Sequence, residues 1–203
     1  MKALIILDIQ NDFTPGGNLA IEHGDSIIPL VNRLQEHFDL VVATQDWHPE
    51  NHRSFASNNP GKKPFDTIEI KGRADTLWPD HCVQGTPGAD FHPGLNTKRI
   101  AAVFRKGMDP ATDSYSGFYD NDHKTPTGLT GYLKTKGVDE AYFCGLAGDI
   151  CVYYSVKDSV KEGFTTTLIE DAAVPLSSEN YTIIRKELSE MGVKIIKSDM
   201  ILQ

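Results

Sequence analysis

Cysteine is scarce in this chain: three among 203 residues, an odd number with no paired spacing. No disulfide framework is implied, so a reducing, cytoplasmic compartment with free thiols is expected. Basic residues are also short, 20 Lys and Arg against 28 Asp and Glu, and the formal net charge is −8. The cations are scattered, which argues against a nucleic acid or an anionic membrane as partner. Long apolar runs are missing: the opening "MKALIILDIQ" has one early lysine and a short apolar stretch ended by Asp8. It makes a poor signal peptide, and nothing is long enough to span a bilayer. Internal repeats, low-complexity tracts and any domain boundary are absent too. What is there is ordinary, 39% apolar and 24% charged residues, enough for one domain (residues 1–203) with a full core.

Short apolar runs alternate with amphipathic segments of helical length. "ALIIL", "DLVVATQ", "RIAAVFRK", "EAYFCGL", "FTTTLIE" and "VKIIK" read as six strands. "DSIIPLVNRLQEHF" reads as a helix N-capped by Asp25, with Pro29 delaying its regular part. "TPTGLTGYLKTKG" reads as a short helix closed by Gly137, and "SSENYTIIRKELSEMG" as one bounded by serine and Gly192. Strand–helix alternation predicts an α/β fold, a six-stranded, mainly parallel sheet with helices on both faces. The region from about 48 to 94 is irregular and rich in Pro, Gly and Asn, with only "FDTIEI" strand-like; so long a segment inside a domain is usually functional or disordered.

Ligands of open parallel sheets bind beyond the carboxyl ends of the strands. Asp8 follows the first run, Asp46 and His48 the second, Arg105 and Lys106 the third, and Ala147 and Cys151 the fourth. An acid, cations, a thiol and metal-ligand types therefore collect at one edge. With Asp149 as N-cap, Cys151 falls in a first helical turn backed by Val152, Val156 and Val160. The helix dipole and Lys106 are then expected to lower its pKa, and unpaired N–H groups to receive an oxyanion. Most lone cysteines are core residues, and Cys144 inside its strand reads so. Cys82, beside His81, is the rival nucleophile. Asp8 serves as base and Lys106 as the stabilising cation. Alone, Asp8 reads better as a turn residue and Lys106 as a solvated strand end; together with Cys151 they read as a site.

A second group comes from "QDWHPENHRSF" and "LWPDHCVQGTPGADFHPG". Asp46 and His48 project to one side of an extended segment, and His81 joins them if the irregular region folds back. One Asp and two His suit a single divalent ion, zinc first, with iron or manganese as the others. His52 is a further ligand or a residue that orients the loop. His23, His37, His92 and His123 read as surface histidines.

In these motifs, together with "LDIQNDF", "FRKGMDPATDSYSGF" and "GLAGDICVYYSVKD", the chain resembles the nicotinamidase branch of the isochorismatase-like cysteine hydrolases over nearly its whole length. The resemblance implies deamidation of nicotinamide, and of pyrazinamide, within NAD salvage. It implies Cys151 as nucleophile, Asp8 as general acid and base, Lys106 as stabilising cation, and Asp46, His48 and His81 holding a metal that binds the pyridine nitrogen. Phe13 and Trp78 would flank the ring, and the Ala147 and Cys151 N–H groups, next to a Leu146–Ala147 peptide that is cis in that family, would form the oxyanion hole. Three rivals stay open: an isochorismatase or ureido-group amidohydrolase of the same fold, a metallohydrolase in which metal-activated water attacks, and a non-catalytic metal-binding module. A homo-oligomer also stays open.

Overall fold

Strand β1, Lys2–Leu7, sets the layering. Its alternate residues divide between two cores: Leu4 and Ile6 enter one, Ala3, Ile5 and Leu7 the other, and all five are wholly buried. A continuous apolar run is what a strand covered on both faces requires, and each large side chain buried this way contributes about 1.5–3 kcal/mol. The computed structural model describes residues 1–70 and 72–203.

Around β1 run β2 (Leu40–Asp46), β5 (Ile100–Lys106), β6 (Glu140–Leu146), β7 (Thr165–Val174) and β8 (Lys194–Ile196), and a separate hairpin of β3 (Thr67–Ile70) and β4 (Arg73–Thr76). The main sheet has the order β5-β2-β1-β6-β7-β8. Every neighbouring pair in it is parallel. Helix α1 (Ile28–Leu34) covers one face with Ile28, Val31 and Leu34. Helices α2 (Leu129–Thr135), α3 (Tyr153–Lys161) and α4 (Ser178–Glu190) cover the other. The chain builds outward from β1 to β2 and β5, then returns to β1's other side with β6. That reversal opens a crevice at the carboxyl ends of β1 and β6.

Two boundaries differ from the sequence reading. Asp25 is not an N-cap: it lies inside a 3-10 turn, Gly24–Ile27, and the α-helical part begins only at Ile28, with Pro29 in its first turn. Strand β7 runs on through Asp171, Ala172, Ala173 and Val174, further than its apolar run. By contrast Ser177 caps α4 as its position suggests, accepting from Asn180 N–H. Among the described residues no helix is long and apolar enough to cross a membrane.

The irregular region folds back over the strand ends. His48 N–H donates to Cys82 C=O at 3.0 Å, and Gln84 N–H to His48 C=O at 2.9 Å. Trp78 N–H donates to Ser54 C=O at 2.7 Å, and Ala56 N–H to Trp78 C=O at 2.8 Å. These bonds lay the segment carrying Trp78 and His81 against the one carrying His48 and His52.

Candidate active site

At the end of β6 the chain turns sharply. Gly145 (φ 120) passes so close to the Leu7 backbone that a Cβ would collide with it, and the Leu146–Ala147 peptide is cis. Residues Gly148–Val152 then form one π-type turn before α3, in which Ile150 and Val152 N–H both donate to Ala147 C=O at 3.1 Å. Asp149 lies inside this turn rather than capping it. Its carboxylate reaches sideways to accept from Leu176 N–H (2.7 Å) and Ser177 N–H (2.9 Å), tying the turn to the segment after β7. Val152 and Val156 face the core as expected, and Cys151 is left 6% exposed at the crevice floor.

Lys106 is the hub of the buried charges. Residues Asp46 and Lys106 are register partners on β2 and β5, and pleating sends Lys106 inward while Arg105 turns out to lie over the Trp47 ring, 3.8 Å from its centroid. Lys106 Nζ is 2.5 Å from Asp46 Oδ1, 3.0 Å from Asp8 Oδ2, 3.1 Å from Ser114 C=O and 3.5 Å from Cys151 Sγ. Burial opposes the ammonium, but the two carboxylates and the thiol outweigh it, so the Lys106 pKa is raised well above its ordinary value. Burial likewise opposes the Asp46 carboxylate, yet Lys106 and His48 hold it well below the usual range. For Asp8 burial prevails over Lys106, and its pKa is raised.

The thiol corrects an expectation. Burial pushes Cys151 well above the ordinary cysteine value; Lys106 pulls it down, but Asp8 and Asp46 push it up again. The helix terminus and one shared ammonium do not offset desolvation beside two carboxylates. Cys151 therefore rests as the thiol, with its Sγ and one oxygen each of Asp8 and Asp46 within 4.8 Å of one another. Cys82 and Cys144 are fully buried, and burial raises both of their pKa values as well.

Asp46, His48 and His81 also converge, each offering an atom within 4.8 Å of the others. Their tautomers are fixed by carbonyl groups, which only accept. His48 Nδ1–H donates to Gly107 C=O (2.9 Å) and His81 Nδ1–H to Pro79 C=O (2.7 Å). Both bare Nε2 atoms consequently face Asp46 Oδ2, at 3.3 and 3.6 Å. Two such imidazoles and a carboxylate match the donor set of a divalent ion, with the second ring nitrogens anchored as metal-binding histidines require. Gly107 (φ 67) is part of the fit, since a Cβ there would enter the His48 ring.

His52 has the opposite tautomer. Its Nδ1 accepts from Ser54 N–H at 3.3 Å and pairs with Ser54 Oγ at 2.7 Å, so the ring proton is on Nε2. That buried Nε2–H has the Thr112 backbone beside it, and the ring lies 4.5 Å from the His48 ring, centroid to centroid.

A cleft of about 390 Å³ opens over these groups. Phe13, Trp78, Ala147 and Cys151 all line it, as do Asp46, His48 and His81. The sequence reading missed other walls, chiefly Asp113, Tyr115 and Ile150; Tyr115 OH accepts from Trp78 Nε1–H at 3.3 Å. It also missed Gln10, inside the quoted "LDIQNDF", whose amide bonds both Asp46 N–H and Asp46 C=O at 2.8 Å. A buried glutamine two residues after Asp8 was the available signal.

For His48, burial disfavours the imidazolium but Asp46 favours it more, and the pKa is raised. A metal would have to displace that proton, so affinity is expected to fall about tenfold per pH unit below this pKa. Competition with a chromophoric chelator between about pH 5 and 8 checks this; a flat affinity would remove His48 from the ligand set.

The isochorismatase domain family model matches residues 2–200. The nicotinamidase of Acinetobacter baylyi is 47% identical over 98% of this chain and 94% of its own length. Among solved structures, the nicotinamidase/pyrazinamidase of Acinetobacter baumanii superposes with a TM-score of 0.96 at 48% identity, covering 99% of this chain and 98% of that one. The pyrazinamidase of Pyrococcus horikoshii, solved in complex with zinc, gives 0.80 at 36% identity over 97% and 98%.

Proposed function

The chain belongs to the isochorismatase domain family, and from that premise we propose that it hydrolyses nicotinamide to nicotinate and ammonia, a step of NAD salvage, through a thioester on Cys151. The observation that carries this is the convergence of a thiol, a carboxyl of raised pKa and a buried ammonium beside a histidine–carboxylate cluster, under apolar walls.

Asp8 takes the Cys151 proton as the sulfur attacks the amide carbon, a transfer between two groups whose pKa values burial raises together. Lys106, 3.5 Å from the sulfur, balances the charge that develops there. The N–H groups of Ala147 and Cys151 receive the carbonyl oxygen as it becomes an oxyanion. Asp8 returns the proton to the departing nitrogen, ammonia leaves, and Cys151 holds the acyl group. Water then gives a proton to Asp8 as it attacks the thioester, and nicotinate leaves as the sulfur is reprotonated.

Phe13 and Trp78 enclose the ring. Asp46, His48 and His81 would hold the divalent ion, zinc by the donor set, and His52 orients the loop beside them from outside the ligand set. When bound, the ion supplies a ligand position for the pyridine nitrogen. Pyrazinamide, with the same ring nitrogen and amide, is a second substrate.

Ammonia release by the purified metal-loaded protein tests this, with benzamide as the control that keeps the ring shape and lacks the ring nitrogen. Benzamide is expected to fall about a hundredfold or more below nicotinamide in kcat/KM, because the site's polar anchor goes unused. Chelation should then cost nicotinamide far more than benzamide. Equal turnover of the two amides, with both abolished by chelation, would favour attack by metal-activated water instead.

A further inference from the structure

Thr44 lies on β2 two residues before Asp46, is fully buried, and does not line the cleft. Its hydroxyl donates to Asp8 Oδ1 at 2.6 Å. The other carboxylate oxygen, Oδ2, is the one paired with the Lys106 ammonium, at 3.0 Å. The two oxygens of the base are thus unequal before any substrate arrives.

The threonine is itself held. Gly117 packs against it so closely that a Cβ there would come within 2.8 Å of Thr44 Cγ2. Gly117 N–H donates to Ser155 Oγ at 2.8 Å, and Ser155 O–H donates to Cys151 C=O at 2.6 Å. One buried frame therefore touches the base at one end and the backbone of the nucleophile at the other.

We infer that Thr44 is a positioning residue for the proposed reaction: its hydrogen bond occupies Asp8 Oδ1 and commits Oδ2 to carry the proton. The inference rests on the cysteine hydrolase reading above. A carboxyl that has accepted a proton can rotate and present its O–H away from the reacting atoms. With Oδ1 kept as an acceptor by the Thr44 hydroxyl, the proton from Sγ resides on Oδ2, beside Lys106, where the departing nitrogen takes it. The proton of the attacking water follows the same route back to Sγ. A misplacement of about 1 Å in such a group costs roughly a hundredfold in rate.

Two substitutions separate this from a packing role. Thr44→Val keeps the shape and loses the hydroxyl; Thr44→Ser keeps the hydroxyl and loses the methyl that Gly117 touches. Nicotinamide turnover is measured on metal-loaded protein, with melting temperature and metal content for each variant. Positioning predicts that Thr44→Val loses roughly ten- to a hundredfold in kcat with KM within about threefold, while Thr44→Ser stays within about threefold of wild type in both. A packing role predicts the reverse order, with the serine protein the more damaged. Should the valine protein fail to fold, Thr44→Ala against Thr44→Ser is read the same way. Valine and serine variants equal in kcat overturn the inference while an active wild type keeps the reaction; a wild type that releases no ammonia overturns both.

Discussion

Cys151→Ala is expected to lower ammonia release from nicotinamide by on the order of ten-thousandfold or more, with the protein folded and its metal retained. Removing a covalent nucleophile leaves only binding and oxyanion stabilisation, and hydrolases that lose theirs fall by such factors. Cys82→Ala and Cys144→Ser, which remove thiols closed to the cleft, should keep substantial activity. Trapping of the acyl group gives a second readout: acid quench during turnover should show the nicotinoyl mass on the peptide containing Cys151. Full activity in Cys151→Ala would end the covalent mechanism. The raised thiol pKa adds a kinetic expectation. Iodoacetamide should modify Cys151 before the two fully buried cysteines, but slowly near neutral pH and faster as pH rises, since the resting group is the thiol.

Asp8→Asn and Lys106→Met should each remove nearly all turnover, on the order of a thousandfold, and together lose far less than the product of the two. The ground is the 3.0 Å ion pair with Cys151 3.5 Å from its nitrogen: groups that act as one unit lose most of the rate at the first deletion. Asp8→Asn keeps a partner for Thr44 and the shape of the site, so it should fold. Lys106→Met leaves Asp8 and Asp46 buried without their cation, and its stability is expected to suffer as well. Steady-state kinetics of both single variants and the double variant, each with measured melting temperature, decides the matter. Losses that multiply would mean that the two residues act independently.

The sequence by itself determined the sheet and which charged and metal-ligand side chains gather at its carboxyl edge. Alternation of short apolar runs with helical segments specified six parallel strands, because strands buried on both faces must be apolar throughout. The strand-end rule then gathered Asp8, Asp46, His48, Lys106 and Cys151, since parallel strands point all their carboxyl ends one way. Those are local and topological facts, and a linear chain carries them.

What tertiary structure alone decided depends on distances between residues far apart in the chain. That His81 reaches His48 follows from backbone bonds between the segments around His48 and Cys82, in a region without periodicity to read. The role of Asp149 follows from amides 27 and 28 residues away. The tautomers that distinguish His48 and His81 from His52 are set by which carbonyl or amide each Nδ1 meets. The Cys151 pKa was misjudged for the same reason: a cation nearby in the motif is visible in sequence, but the degree of burial and two competing carboxylates are not. A pKa is a sum over everything packed around a group, and only the folded chain does that packing.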